Sequence, residues 1–162
     1  MKKTSQQPAE DMETVLHRYG DMLYRLCVLM LKNESDAEDV LQETMIKYYR
    51  KAPAFEDAEH EKAWLIRVAA NQCRDLLRFR WRHPLVDAEY LEKIVTESSD
   101  SGILEALTAL PEKYRLVLTL YYIEDCRIAE IAKIIGRTPS AVKMRLQKGR
   151  ALLKQIYREE YL

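Results

Sequence analysis

Apolar residues recur every three to four positions along almost the whole chain, and the strict alternation of a half-buried strand is nearly absent, so the pattern predicts an all-helical protein. A first helix is expected over about Met12 to Leu31, with Leu16, Tyr19, Leu23, Leu26 and Met30 on its inward stripe and Asn33 ending it. Ser35 with Glu38 three residues on forms a capping box, and a carboxylate-rich first turn suits the helix dipole, which places a second helix from near Asp36. Its inward positions are Ala37, Val40, Leu41, Met45 and Tyr48, leaving Asp39, Gln42, Glu43 and Lys47 outside. After a loop marked by Pro53, a third helix is expected from about Glu59 to Trp81, burying Trp64, Leu65, Val68, Ala69, Leu76 and Leu77.

Helical periodicity resumes with GILEALTAL at Gly102 and continues through PEKYRLVLTLYYIE, where Pro111 suits a first turn because its missing N–H costs nothing there. Next come IAEIAKIIG and GRTPSAVKMRLQKGRALLK. Ala132, Gly136 and Val142 have the spacing of a helix-turn-helix: a small residue at the helix crossing, a glycine for the positive-φ turn, and an apolar anchor on the second helix. Thr138 is positioned to cap that second helix and Pro139 to start it. Val142, Leu146 and Leu153 continue its inward face, so Lys143, Gln147, Lys148 and Arg150 point outward.

Charge sharpens this picture. The 162 residues balance 26 Lys and Arg against 26 Asp and Glu, yet residues 84–112 hold one basic and seven acidic groups while residues 113–162 hold 11 basic and five acidic. The Ser, Asp and Gly cluster at Ser98 to Gly102 lies within the acidic stretch and reads as a linker between two periodic halves. The final helix concentrates cations with no carboxylate between Gly136 and Lys154, which is either a solvated surface or a surface for a polyanion. Joined to the turn spacing and the cap, it points to the major groove of DNA, where side chains near the helix N-terminus meet base edges and flanking cations neutralise phosphates.

Other classes fare poorly. HEKAW at His60 has Trp64 where a zinc protease needs its second His, His17 and His83 have no companions at ligand spacing, and the four scattered glycines form no phosphate-cradling loop. No catalytic residue, metal or cofactor is therefore expected. Cys27, Cys73 and Cys126 lack disulfide or zinc spacing and read as small buried apolar residues. The longest apolar run is too short to cross a bilayer and the N-terminus lacks a secretory h-region, so a cytoplasmic protein without membrane insertion is expected.

Two motif blocks carry a family resemblance. LPEKYRLVLTLYYIEDCRIAEIAKIIGRTPSAVKMRLQKGRALLK resembles region 4 of bacterial sigma factors, and SDAEDVLQETMIKYY with AWLIRVAANQCRDLLR resembles region 2. A layout with no acidic N-terminal extension and no third helical domain resembles the extracytoplasmic-function class, over about residues 13–157. The resemblance implies an N-terminal tail at 1–12, a region 2 domain at 13–83, a flexible acidic linker at 84–102 and a region 4 domain at 103–162. It implies a transcription initiation factor, not an enzyme, that joins core RNA polymerase through the β′ coiled coil and the β subunit, binds promoter DNA and is held by an anti-sigma factor.

Its site residues follow by position. Asp39, Leu41, Gln42, Glu43 and Met45 match the β′ docking positions. For the -10 element, held as extruded single-stranded bases, the matches are Phe55 and Asn71, with Trp64 read as core. Arg74, Arg78, Arg80 and Arg82 either contact backbone near the -10 element or pair with neighbouring carboxylates. For the -35 element, Ser140, Lys143, Met144, Gln147 and Lys148 match base contacts, and Arg137, Thr138, Arg145 and Arg150 match phosphate contacts. The family's hydroxyl cap before the first helix of the helix-turn-helix is replaced by EDCRIAEIA, which leaves Asp125 to cap it. The competing reading is a dimeric helix-turn-helix regulator that never joins polymerase; a pure protein-interaction module leaves the basic helix unexplained.

Overall fold

The computed structural model describes residues 11–82 and 101–161, and the expected linker at 84–102 lies almost wholly outside them. Seven α-helices are described: α1 Met12–Leu31, α2 Glu34–Lys51, α3 Ala58–Arg82, α4 Ser101–Ala109, α5 Glu112–Leu118, α6 Ile128–Ile135 and α7 Pro139–Tyr161. A π-type turn at Thr119–Ile123 extends α5. The first three helices make one unit and the last four another.

Local chemistry sets the helix ends. Asp11 accepts from the Glu13 amide to start α1, which ends at Lys32 in the left-handed region with φ of 56°. Asn33 begins the next helix rather than only ending the previous one: its side chain accepts from the Asp36 amide at 3.0 Å. The Ser35 capping box is thus corrected, because Asn33 reaches the free amides two residues earlier and Ser35 is already helical. Asp57 caps α3 through the His60 amide at 2.8 Å.

Leu16 is also corrected. It is 44 % exposed, and Val15 takes its place in the core, because the inward stripe of α1 runs through Val15, Tyr19, Leu23, Leu26 and Met30. α1 meets both α2 and α3 around Leu65, Ile66, Ala69 and Cys73. One buried carboxylate, Glu61 of α3, ties the three helices together: Arg18 of α1 pairs with it and the Tyr48 hydroxyl of α2 donates to it at 2.9 Å. All three cysteines are buried and free, as small apolar residues would be, and burial pushes the Cys126 thiol up to about 11.

In the second unit α7 crosses α5 closely. A Cβ on Gly149 would stand 3.1 Å from the Leu118 side chain and 3.4 Å from Cβ of Tyr114, so only glycine fits this crossing without displacement. Val142 and Leu146 of α7 and Ile131 of α6 complete the core.

The two units are in contact. The Arg115 guanidinium of α5, 5 % exposed, donates to the Met30 carbonyl at the end of α1 at 2.9 Å and to the Thr108 carbonyl of α4 at 2.9 Å. Arg25 of α1 grips Glu124 with two bonds at 2.8 and 3.0 Å. Arg74 of α3 meets Glu112 of α5 at 2.6 Å, and Arg127 before α6 meets Glu59 of α3 at 2.8 Å.

Replacing Glu61 by Ala removes the acceptor of the buried Tyr48 hydroxyl and the partner of Arg18. Unfolding free energy is expected to fall by about 2 kcal/mol, measured by urea denaturation, with helical content preserved at low denaturant.

Candidate nucleic-acid interface

The turn between α6 and α7 is built from three residues. Gly136 closes α6 at φ of 66°, a conformation that costs a side-chain-bearing residue strain. Thr138 Oγ1 accepts from the Ala141 amide at 3.1 Å, and Pro139 begins α7, so the expected cap and first turn are both present. Asp125 does not cap α6. It sits at φ of 53°, and the N-cap position is held by Arg127 without a side-chain cap bond. Arg127 instead bonds Glu130 in the first turn of α6 at 2.7 Å, so a forward ion pair, and not the expected Asp125 cap, stands at the start of α6.

With α7 anchored by Val142 and Leu146, helical geometry puts Ser140, Lys143, Met144, Gln147 and Lys148 on the opposite face, and all five are exposed. Met144 is 54 % exposed, an apolar side chain free to meet a thymine methyl. Arg137 and Thr138 are exposed at the helix start. Arg145 and Arg150 flank this face on opposite sides. Arg145 is half-buried and its pKa is lowered, first by burial and then by Arg137 and Arg74 nearby. Arg150 donates to the Tyr122 hydroxyl at 3.1 Å and rims an apolar groove floored by Leu107, Leu118 and Leu153.

The residues expected at the -10 element divide. Asn71, Arg74 and Arg78 follow one another at helical spacing on α3, and the same stripe runs back through Arg67 to Trp64. Arg80 falls on the other side of α3, where it pairs with Asp36 of α2. Arg78 pairs loosely with Asp75 at 3.8 Å, and the Arg82 side chain lies outside the described residues. Phe55 is stacked on Tyr48, its ring centroid 6.0 Å away, with the edges of Trp64 and His60 at 5.9 and 5.2 Å. Trp64 is half-buried within this aromatic group, and the cluster fixes the loop before α3 in place. Arg67, exposed four residues before Asn71, was missed by sequence reasoning although its spacing placed it on the same stripe.

On α2 the outer face is Asp39, Gln42 and Glu43, all exposed, and it continues through Ile46 and Tyr49, which are 38 % and 67 % exposed. Met45 is 3 % exposed and serves the core, and Leu41 is half-buried on the same side as Tyr48, packed partly against that core. Ile46 and Tyr49 were also missed. Their signal was an apolar pair out of phase with the buried stripe.

Two helical units in one chain, one presenting an exposed basic helix face and the other an arginine and aromatic stripe, have the surface character of a helical nucleic-acid-binding protein. Residues 15–83 match the family model for Sigma-70 region 2 and residues 101–153 that for Sigma-70, region 4. The sigma factor SigV of Bacillus subtilis is 30 % identical over 142 residues, covering 85 % of this chain and 86 % of that protein. The ECF sigma factor SigW of the same organism is 29 % identical over 160 residues, covering 87 % and 86 %. Among solved structures, CnrH in complex with the cytosolic domain of CnrY superposes with a TM-score of 0.73 at 26 % identity, covering 92 % of this chain and 88 % of that one. Bartonella quintana RpoE, solved with the anti-sigma factor NepR, shares the fold with a TM-score of 0.73 at 21 % identity, covering 93 % and 99 %. The chain belongs to the extracytoplasmic-function sigma factors, the promoter-specificity factors of bacterial RNA polymerase. Membership sets aside the dimeric regulator. Among the described residues no helix is long and apolar enough to cross a membrane.

Because nothing lies within 4 Å of a Cβ built on Gly136, strain alone decides substitutions there. Gly136→Val is expected to lower stability by about 1–2 kcal/mol and Gly136→Asn by much less, a contrast read from paired thermal melts.

Proposed function

We propose that this chain directs core RNA polymerase to its promoters by reading the -35 element with α7 and the -10 strand with the stripe on α3. The observation that most supports the -35 assignment is the exposed face of Ser140, Lys143, Met144, Gln147 and Lys148, presented by a capped, glycine-closed turn. Lys donates, and Gln both donates and accepts, at purine edges in the major groove, and Arg137 and Arg145 flank them as phosphate ligands. Arg150 can turn from Tyr122 to a phosphate at the cost of one exposed hydrogen bond.

On α3 the strand-holding set is Arg67, Asn71, Arg74 and Arg78, with Phe55 and Trp64 offering aromatic surface for an extruded base. Arg80 is left out, since its ion pair with Asp36 fastens α3 to α2. Polymerase docking uses Asp39, Gln42 and Glu43 with Ile46 and Tyr49: a carboxylate-rimmed apolar strip fits a basic, partly apolar helical partner such as the β′ coiled coil. An anti-sigma factor is the matching inhibitor, by likeness to RpoE with its bound anti-sigma factor NepR.

Run-off transcription with purified core polymerase tests the assignment: discrete starts are expected with the chain and none without it. Gln147→Ala should relax base preference within the -35 element, with about 1–3 kcal/mol of discrimination lost at one position. Arg137→Ala should weaken binding to every sequence and reduce the slope of log affinity against log salt by about one. Equal loss of sequence preference in both variants would contradict the division between base and phosphate contacts.

A further inference from the structure

Phe55 lies in the loop between α2 and α3, where residues 52–55 have no regular backbone, so its ring is placed by what surrounds it rather than by a helix of its own. Three rings do this. Tyr48 lies nearly parallel to it, with 15° between the planes and 6.0 Å between centroids, while Trp64 and His60 approach edge to face at 5.9 and 5.2 Å. Tyr48 meets Trp64 as well, at 6.1 Å and 68°. Trp64 and His60 both come from α3, so Tyr48 is the contact through which α2 holds the loop.

The Tyr48 side chain is in turn set by a buried carboxylate. Its hydroxyl, at the far end of the side chain, donates to Glu61 Oε2 at 2.9 Å, which holds the ring in one rotamer. The other oxygen, Oε1, faces the Arg18 guanidinium of α1 at 3.4 Å, and the Glu61 side chain is only 11 % exposed. With its two oxygens held from different helices, the carboxylate cannot swing without giving up a partner, and little water is at hand to replace one. Tyr19 of α1 adds a wall: its hydroxyl donates to the Ala58 carbonyl at 3.5 Å, and its pKa is raised, first by burial and then by Glu61 beside it. A hydrogen bond to a charged acceptor outweighs a single aromatic contact, so in the series Glu61, Tyr48, Phe55 the acid leads and the rings follow.

We infer that Glu61 is a positioning residue for promoter opening: through the Tyr48 hydroxyl it sets the ring of Phe55 as the surface against which an unstacked -10 base is held. The inference rests on the proposed role of Phe55 at the -10 strand. A carboxylate in contact with the strand would repel its phosphates. Buried behind Tyr48 and offset by Arg18, Glu61 orders the loop without presenting its charge to DNA.

The test uses the full chain. Phe55 and Phe79 are the two phenylalanines of the sequence, so fluorophenylalanine labelling gives two fluorine resonances, and Phe79→Leu assigns them. The Phe55 resonance reads the ring in the free protein. Opening is read with core polymerase on a promoter from which wild type starts, carrying 2-aminopurine within the -10 element. Tyr48→Phe, which removes one oxygen and keeps the ring, and Glu61→Gln are each expected to shift or broaden the Phe55 resonance. Both should slow opening about tenfold, at unchanged helicity and unchanged affinity for a -35 duplex. Gln72→Met removes a different α3 to α2 bond, the 3.0 Å contact with Thr44, about three turns along α3 from Glu61. It should lower stability yet leave the Phe55 resonance and the opening rate as in wild type. Phe55→Ala should slow opening, and adding Glu61→Gln to it should slow opening no further, because the acid has lost the ring it positions. The inference is overturned if the Phe55 resonance keeps its place and width in both single variants, or if the effects of Glu61→Gln and Phe55→Ala multiply as independent losses would. Opening at the wild-type rate by Phe55→Ala would overturn the strand assignment itself and take the inference with it. The fluorine spectrum, which needs neither DNA nor polymerase, keeps these failures apart.

Discussion

A guanidinium buried between two helical units is the constraint around which the observed arrangement is organised. Arg115 has lost most of its water, and burial lowers its pKa, so the cation must be compensated by protein groups. It finds backbone carbonyls and no carboxylate within bonding distance: Thr108 and Leu110 from its own unit and Met30 from the other. The Met30 carbonyl lies in the last turn of α1, where helical carbonyls have no intrahelical donor and the dipole end is negative, so the cation suits it on both counts. Two helix ends meet the two terminal nitrogens of the guanidinium, while its Nε stays buried without a hydrogen-bond partner. Separating the units returns that carbonyl and guanidinium to water, so the net cost of opening is modest even though leaving either unpaired in a dry interface would be expensive.

The same interface explains why the π-type turn at Thr119–Ile123 lies where it does. Closing with the Glu124 amide on the Thr119 carbonyl, it adds a residue to the turn and shifts the phase of everything after it. That shift brings the Glu124 carboxylate to Arg25 rather than to solvent. The following residue, Asp125, adopts the left-handed conformation that short polar side chains tolerate, and the chain reverses into α6. A straight α5 would lack the Arg25 contact and aim α6 elsewhere, so the recognition helix and the inter-unit contact are set by one local irregularity.

Much of this was legible in the sequence, for physical reasons that can be stated. α1 and α3 were found to within a residue because apolar periodicity over 20 or more positions leaves little choice of phase. The turn before α7 was legible in detail, since Gly136, Thr138 and Pro139 each act through their own backbone or their nearest neighbours. What escaped were features in which a residue answers to something distant. Leu16 satisfies its helical pattern either way, and only the crossing of α1, α2 and α3 decides that it faces outward while Val15 is buried. Asn33 and Ser35 are both competent caps, and the choice fell on the one that follows the left-handed Lys32. Arg74 and Arg80 look equivalent in a run of arginines, but opposite faces of one helix send them to Glu112 and Asp36. Contact between the two halves had no local signature at all, because its partners are separated by 38 to 99 positions.

Overall neutrality, which by composition argues against a nucleic-acid ligand, acquires a different meaning once the pairs are placed. Acidic groups at Glu59, Glu112 and Glu124 balance cations at Arg127, Arg74 and Arg25, so these three cations are paired across the interface within the molecule. Non-specific attraction to DNA scales with the number of phosphates neutralised, so internal pairing suppresses it more strongly than specific contacts through the exposed face of α7.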